Sequence, residues 1–206
     1  MKHRLFICAA VALVSLCLVC CNASSLPAEE PACGKTLILY YSLTGNTRAG
    51  CEVLQAELGA DMIEIKDLRK RDGKWGFFKT AIASLVGKHT RIEPEKVDIT
   101  KYHNIILGSP IWTGRLSMAI RTLIDRNRFD WRKVIIYTTT NALEKEKYQE
   151  KSRNLVRKQG GNVVGYYQIL AKEEVNGKKT DRTKEQIAED SRAIVPEIRQ
   201  LFSPNN

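Results

Sequence analysis

Apolar and polar positions along the chain follow two rhythms. TLILYY from Thr36, NIILGS from Asn104 and KVIIYTTT from Lys133 are continuous runs, and they predict parallel strands covered on both faces. DMIEI from Asp61 alternates, with Ile63 and Ile65 on one face, and suits an edge strand. NVVGYYQIL from Asn162 supplies a fifth strand, with Gly165 expected at a bulge. Helical spacing fills the gaps. One helix follows Asn46, carries Cys51, Leu54 and Leu58, and stops at Gly59. Another is predicted from Phe78, Ala81, Ile82 and Leu85, and a third from Leu116, Ala119, Ile120, Leu123 and Ile124. A charged helix is predicted from Leu143 to Gln159. The last opens at Thr183, where TKEQ reads as a capping box. It carries Ile187, Ile194, Ile198 and Leu201, and Pro196 is expected to kink or interrupt it.

Five β–α units predict one α/β domain over residues 35–206, a right-handed, doubly wound, five-stranded parallel sheet. Such sheets bind ligands beyond the C-terminal ends of their strands, where strand order reverses. Three loops fall there.

The first of them, SLTGNT (Ser42–Thr47), lies between the first strand and a helix start. Helix N-termini have unpaired N–H groups and a dipole that favours an anion. Gly45 permits a tight turn, while Ser42, Thr44, Asn46 and Thr47 offer four hydrogen-bonding side chains in six residues. A plain N-cap needs only one, so the loop is read as a phosphate cradle. Without a lysine it suits a phosphate that is held and not cleaved. GKT at Gly34–Thr36 is no rival: a P-loop would need glycine where Glu29 stands, and would follow a strand, not precede it. The second loop, GSPIWTG (Gly108–Gly114), presents Trp112 between a rigid proline and a glycine. The third reads TTTNALEKEKYQE, with hydroxyls and an amide at Thr139, Thr140 and Asn141 but no glycine.

LILYYSLTGNTR resembles the phosphate loop of the flavodoxin family, Ser/Thr-x-Thr-Gly-x-Thr, and YHNIILGSPIWTGRLSMAIRTLID resembles that family's second flavin-contacting loop and its helix. The resemblance covers most of residues 35–170. It implies the flavodoxin-like strand order 2-1-3-4-5 and a bound FMN. Ser42, Thr44, Gly45, Asn46 and Thr47 would then hold the FMN phosphate. Trp112 would stack on the flavin ring, with Pro110, Ile111, Thr113 and Gly114 at its edge, and Thr139, Thr140 and Asn141 would hydrogen-bond it from the third loop. Tyr148 is either a second stacking ring or helix packing. The implied function is electron transfer, or a small flavin-dependent oxidoreductase linked to quinone or NAD(P)H, with a redox partner protein or a small-molecule electron acceptor. The alternative keeps the fold as a membrane-tethered binding module without flavin. A receiver domain is excluded, because the first strand ends in YYS with no carboxylate. No acid, base, nucleophile or metal cluster stands out; His89 and His103 are isolated.

The N-terminus adds an address. Lys2 and Arg4 precede an apolar run from Leu5 to Cys21, the layout of a secretory signal, slightly short of the ~20 residues that span a bilayer. LVCC (Leu18–Cys21) resembles a bacterial lipobox, with Cys20 where a small residue is usual. Residues 1–21 are therefore read as a signal of lipoprotein type with Cys21 lipidated. Later cleavage or an uncleaved anchor are the other outcomes. Residues 22–34 read as a linker, and the protein is expected to be exported and membrane-anchored. Four of the six cysteines lie in the signal. The other two, Cys33 and Cys51, sit at a strand start and in the helix returning from its far end, more than ~10 Å apart. A disulfide needs Cα atoms within ~7 Å, so no bridge is expected. The net charge of +10 falls to +8 without Lys2 and Arg4, which favours acidic partners. The densest basic stretch, Lys66–Lys74, is predicted to be a solvated loop. Nucleic acid is not expected, since no basic surface interleaved with aromatics is evident.

Overall fold

The computed structural model describes residues 34–69 and 89–204. In chain order the elements are β1 (Thr36–Tyr40), α1 (Asn46–Leu58), β2 (Asp61–Glu64), β3 (Lys66–Asp67), β4 (Ile92–Glu93), β5 (Asn104–Trp112), β6 (Arg115–Leu116), α2 (Met118–Arg126), β7 (Lys133–Thr140), α3 (Glu146–Lys158), β8 (Asn162–Leu170), β9 (Lys172–Val175), β10 (Lys178–Asp181), α4 (Lys184–Ala193) and α5 (Val195–Phe202). The main sheet runs β2-β1-β5-β7-β8, all parallel, with β6 folded back antiparallel on β5. Counting only the five main strands, this is the predicted order 2-1-3-4-5. The predicted helix around Phe78–Leu85, residues 1–33 with Cys21 and Cys33, and Arg71–Lys74 lie outside the described residues.

The continuous apolar strands divide their side chains between two cores. Leu37, Leu39, Ile105, Leu107, Val134 and Ile136 meet Ala119, Ile120, Leu123 and Ile124 of α2 and Val156 of α3. Their alternates Ile38, Tyr40, Ile106, Ile135 and Tyr137 meet Cys51 and Leu54 of α1, Ile187 of α4, and Val195, Ile198 and Phe202 of α5. Period-two alternation across a sheet covered on both faces requires this division. Cys51 is a buried free thiol, and burial pushes its pKa well above the usual range.

Several local details differ from the sequence expectation. Between β7 and β8 the register jumps from Val134–Val163 to Ile135–Gly165; the extra residue is Val164, immediately before the glycine predicted there. The charged helix begins at Glu146, not Leu143, because Lys145 is still extended, at φ −67° and ψ 146°. Lys66 and Asp67, expected in a loop, pair with Ile92 and Glu93 as a two-stranded ribbon. Lys172–Asp181 forms a hairpin not foreseen, turning on Asn176 and Gly177, both at positive φ. Asn-Gly is a strong hairpin signal, so this turn was readable. Thr183 does form the capping box with Gln186, and the final helix breaks at Ile194, two residues before Pro196.

Among the described glycines, the least room for a side chain is at Gly50 in α1. A Cβ built there would lie 1.7 Å from Tyr137 Oη and 2.7 Å from Ser191 Oγ, which are hydrogen-bonded to each other at 2.7 Å. Alanine is favoured over glycine in helices by about 1 kcal/mol, yet here it overpacks a buried junction. Gly50→Ala is expected to destabilise the protein by about 2–3 kcal/mol, as read by urea denaturation; unchanged or increased stability would mean that α1 can move off the sheet.

Candidate functional site

Where β1 ends, the chain turns into α1 through the SLTGNT loop. Gly45 is the N-cap of α1, at φ +90°, in the left-handed region where a side chain is strained. It offers no side-chain cap, and the first helical turn carries no acidic residue. The opening N–H groups of α1 are thus left to water or an anion. Ser42 closes the turn by accepting the Gly45 N–H at 3.1 Å, which leaves its own hydroxyl proton available. Thr44 is exposed and Asn46 half-buried. Thr47 is buried, with Oγ1 2.7 Å from Thr139 Oγ1 across the sheet. Arg48 is committed elsewhere, donating to both carboxylate oxygens of Glu64 at 2.6 and 2.7 Å and to Tyr40 Oη at 3.3 Å.

The second loop is a hairpin with a two-residue turn. Ile111 pairs with Leu116 and Trp112 with Arg115, while Thr113 and Gly114 both take positive φ, 51° and 71°. Such turns match the twist of the strands they join. Behind the turn, Ser117 caps α2 and its N–H donates to Ser109 Oγ at 2.9 Å. That bond ties the loop to β5. Trp112 meets Tyr41 edge to face at 5.9 Å, so both aromatics stand beside the phosphate loop.

Between the second and third loops lies a cleft of about 380 Å³, within the usual size range of small-molecule sites. One wall is Ile111, Thr113 and Gly114; the other is Thr140–Lys145 with Tyr148. The three predicted groups therefore meet at one end of the sheet, but not every member lines the cleft. Pro110 is paired with Thr139 in the β5–β7 register. The Thr139 hydroxyl is turned toward Thr47, and that of Thr140 donates to Ala142 O at 2.7 Å. Asn141 is exposed at the rim. Tyr148 packs its ring against Gly114, 3.2 Å from the position of a Cβ there, and also lines the cleft.

Glu144 was not foreseen. Expected within the charged helix, it lies in the loop before α3 and is half-buried. Its Oε2 accepts from Tyr166 Oη at 2.5 Å, its backbone N–H donates to Gln168 Oε1, and Oε1 is buried without a hydrogen-bond partner among the described residues. Burial pushes the carboxyl pKa above its usual value, against the lowering effect of the tyrosine hydrogen bond. The Arg153 guanidinium lies over the Tyr166 ring, 5.1 Å from its centre.

A doubly wound sheet with an uncapped, acid-free helix start beside an aromatic pair and a cleft has the chemistry to take a phosphorylated, ring-bearing ligand. The family profile described as flavodoxin matches residues 35–177, and the chain belongs to that family. A flavoprotein from Lactobacillus acidophilus NCFM, solved in complex with FMN, is 26% identical with a TM-score of 0.58, over 66% of this chain and 93% of that one. Two candidate flavoproteins share the fold with TM-scores of 0.60. The one from Bacteroides eggerthii DSM 20697 is 19% identical over 80% of this chain and 98% of its own. The one from Bacteroides uniformis ATCC 8492 is 17% identical over 76% and 96%. No protein of curated function matches the sequence. FMN is the cofactor that the family and the Lactobacillus neighbour support, and the residues present fit its phosphate and ring.

Glu144 yields a stability test with a definite sign. A carboxyl whose pKa is higher in the folded than in the unfolded chain costs stability once it ionises, so the loss grows as pH rises from its ordinary value of 4.5 through the raised folded value. Glu144→Gln keeps an acceptor for Tyr166 and removes the buried charge. Its melting temperature is expected to exceed the wild type at pH 8, with the gap closing as pH falls toward 4.5. A gap that is constant with pH would show that the carboxyl charge is not what is penalised.

Proposed function

We propose that the protein is an exported, membrane-anchored FMN protein that passes electrons, as a carrier or as a small flavin-dependent oxidoreductase, to a redox partner protein or a small-molecule electron acceptor. The observation that carries the reading is the opening of α1 at Gly45 without a side-chain cap or an acidic first turn, beside the cleft between the second and third loops. When bound, FMN supplies the redox chemistry, and the protein positions and shields it. In this reading the Ser42 and Thr44 hydroxyls, the Asn46 amide and the first N–H groups of α1 hold the phosphate. Gly45 supplies the left-handed turn, and Thr47 holds the loop to Thr139 of β7. Ile111, Thr113 and Gly114 form one wall for the ring, Thr140 and Asn141 the opposite rim, and Tyr148 excludes water from the far side; Trp112, which does not line the cleft, would reach the ring from beside Tyr41. Cys21 carries the lipid that tethers the domain through residues 22–34.

Full-length protein titrated with FMN is expected to quench flavin fluorescence saturably at one FMN per chain. Thr44→Ala should weaken binding about three- to tenfold, the worth of one hydrogen bond, and Trp112→Ala should abolish most of the quenching. No binding at high micromolar FMN would sink the redox reading and favour a tethered module with another ligand. The anchor has its own test: labelled palmitate fed to a bacterial expression host should enter the wild-type chain and not Cys21→Ser. An unlabelled wild-type chain would remove the lipid from the proposal.

A further inference from the structure

Within the proposed phosphate loop itself, Ser42 to Thr47, no residue carries a positive charge, although an FMN phosphate is an anion. Arg48, the next residue, is held by Glu64. Of the cations before α4, Arg182 is paired with Asp190 at 2.6 Å and Lys172 with Asp181 at 3.0 Å. Lys184 differs from these. It is the first residue of α4, next to the N-cap Thr183; it shares the groove between α1 and α4 with Glu52, Glu57 and Glu185, and its charge helps lower the Glu185 pKa, but it closes no direct ion pair among the described residues. Its ammonium reaches across to the phosphate loop: a methyl group built on Gly45 would sit 2.9 Å from Lys184 Nζ and 3.0 Å from its Cε. The lysine end could swing aside from such a methyl group; what favours glycine at this position is its φ of +90°.

The position of Lys184 is unfavourable for its own helix. A cation in the first turn opposes the helix dipole, which prefers acidic side chains at that end, as Glu185 illustrates one position on. An exposed lysine at this site therefore contributes nothing to α4 by its charge. Its ammonium does lie beside the N-terminus of α1, where an anion is favoured and its own cap is a bare glycine. Two helix starts, α1 and α4, thus converge on one point with a lysine between them.

We propose that Lys184 is a phosphate-binding residue of the FMN site, donating its ammonium to the cofactor phosphate over Gly45 and supplying the positive charge that the SLTGNT loop lacks. The proposal rests on the FMN reading above and assigns to α4, far along the chain, a part in holding the cofactor. A second consequence concerns selectivity: the contact distinguishes the phosphorylated flavin from its dephosphorylated form, since riboflavin has no group for the ammonium to meet.

The test compares FMN with riboflavin on full-length wild type, Lys184→Gln and Lys184→Arg, following flavin fluorescence at low salt and in 1 M NaCl. The glutamine variant is expected to bind FMN about three- to fivefold more weakly at low salt, the upper part of the range for an exposed charge pair. The difference should shrink in 1 M salt, where charges are screened over about 3 Å. Riboflavin curves should superimpose for wild type and Lys184→Gln, and Lys184→Arg should retain most of the FMN affinity. Equal FMN binding by wild type and Lys184→Gln at low salt would overturn the proposal while leaving the FMN site intact. An equal loss for riboflavin would also overturn it, by showing that Lys184 acts through the fold. Failure of the wild-type chain to bind FMN at all would defeat the cofactor reading, and this proposal with it.

Discussion

The approach of α1 to the sheet sets the geometry of the whole ligand-facing end. At Gly50 the Tyr137 hydroxyl, reaching up from β7, occupies the space a side chain would take. Gly108 performs the matching role on β5, where a Cβ would lie 2.7 Å from Cys51 Sγ and 2.7 Å from Tyr40 Cβ. A helix seated this deeply starts at a defined height above the strand ends. The N–H groups of its first turn therefore face the same edge as the second and third loops. Small residues at both contacts, not large apolar ones, make that placement possible.

Hydrogen bonds then lock the loops to this frame. Thr47 and Thr139, 92 positions apart in sequence, meet in a buried pair and tie the phosphate loop to the end of β7. Ser109 and Ser117 tie the Thr113–Gly114 hairpin to the start of α2. Buried hydroxyls need partners, and here each finds one on another element that frames the site. The loops are thereby positioned by the sheet and not by their own flexibility, as a site must be if it is to hold a rigid ring.

Charge is distributed with the same economy around the cradle. Arg48 and Arg182 answer carboxylates, so their positive charge is not directed at a ligand. Glu144 is the reverse case, a carboxyl carried into a half-buried wall and answered by a tyrosine hydroxyl and not a cation. The net positive charge of the chain thus says little by itself about the site, because what matters is which cations reach the ligand-facing loops.

Element types and their order were legible in the chain because the signals are local. Short, unbroken apolar runs at 37–39, 105–107 and 134–136, rich in isoleucine and leucine, read as covered strands. Gly59, the TKEQ box and Pro196 mark helix ends through backbone chemistry that depends on near neighbours. The SLTGNT motif and its place after the first strand were readable for the same reason, as was their resemblance to the flavodoxin family. What the tertiary structure decided are the relations between distant segments. No local pattern could show that Thr139 turns to Thr47 and away from the cleft, or that Trp112 meets Tyr41. None could bury Glu144 against Tyr166, or carry Lys184 across to Gly45. Those contacts join residues 22 to 139 positions apart, from Glu144–Tyr166 to Gly45–Lys184. They exist only because strand order and helix seating bring the ends of β1, β5, β7 and β8 together at one edge of the sheet.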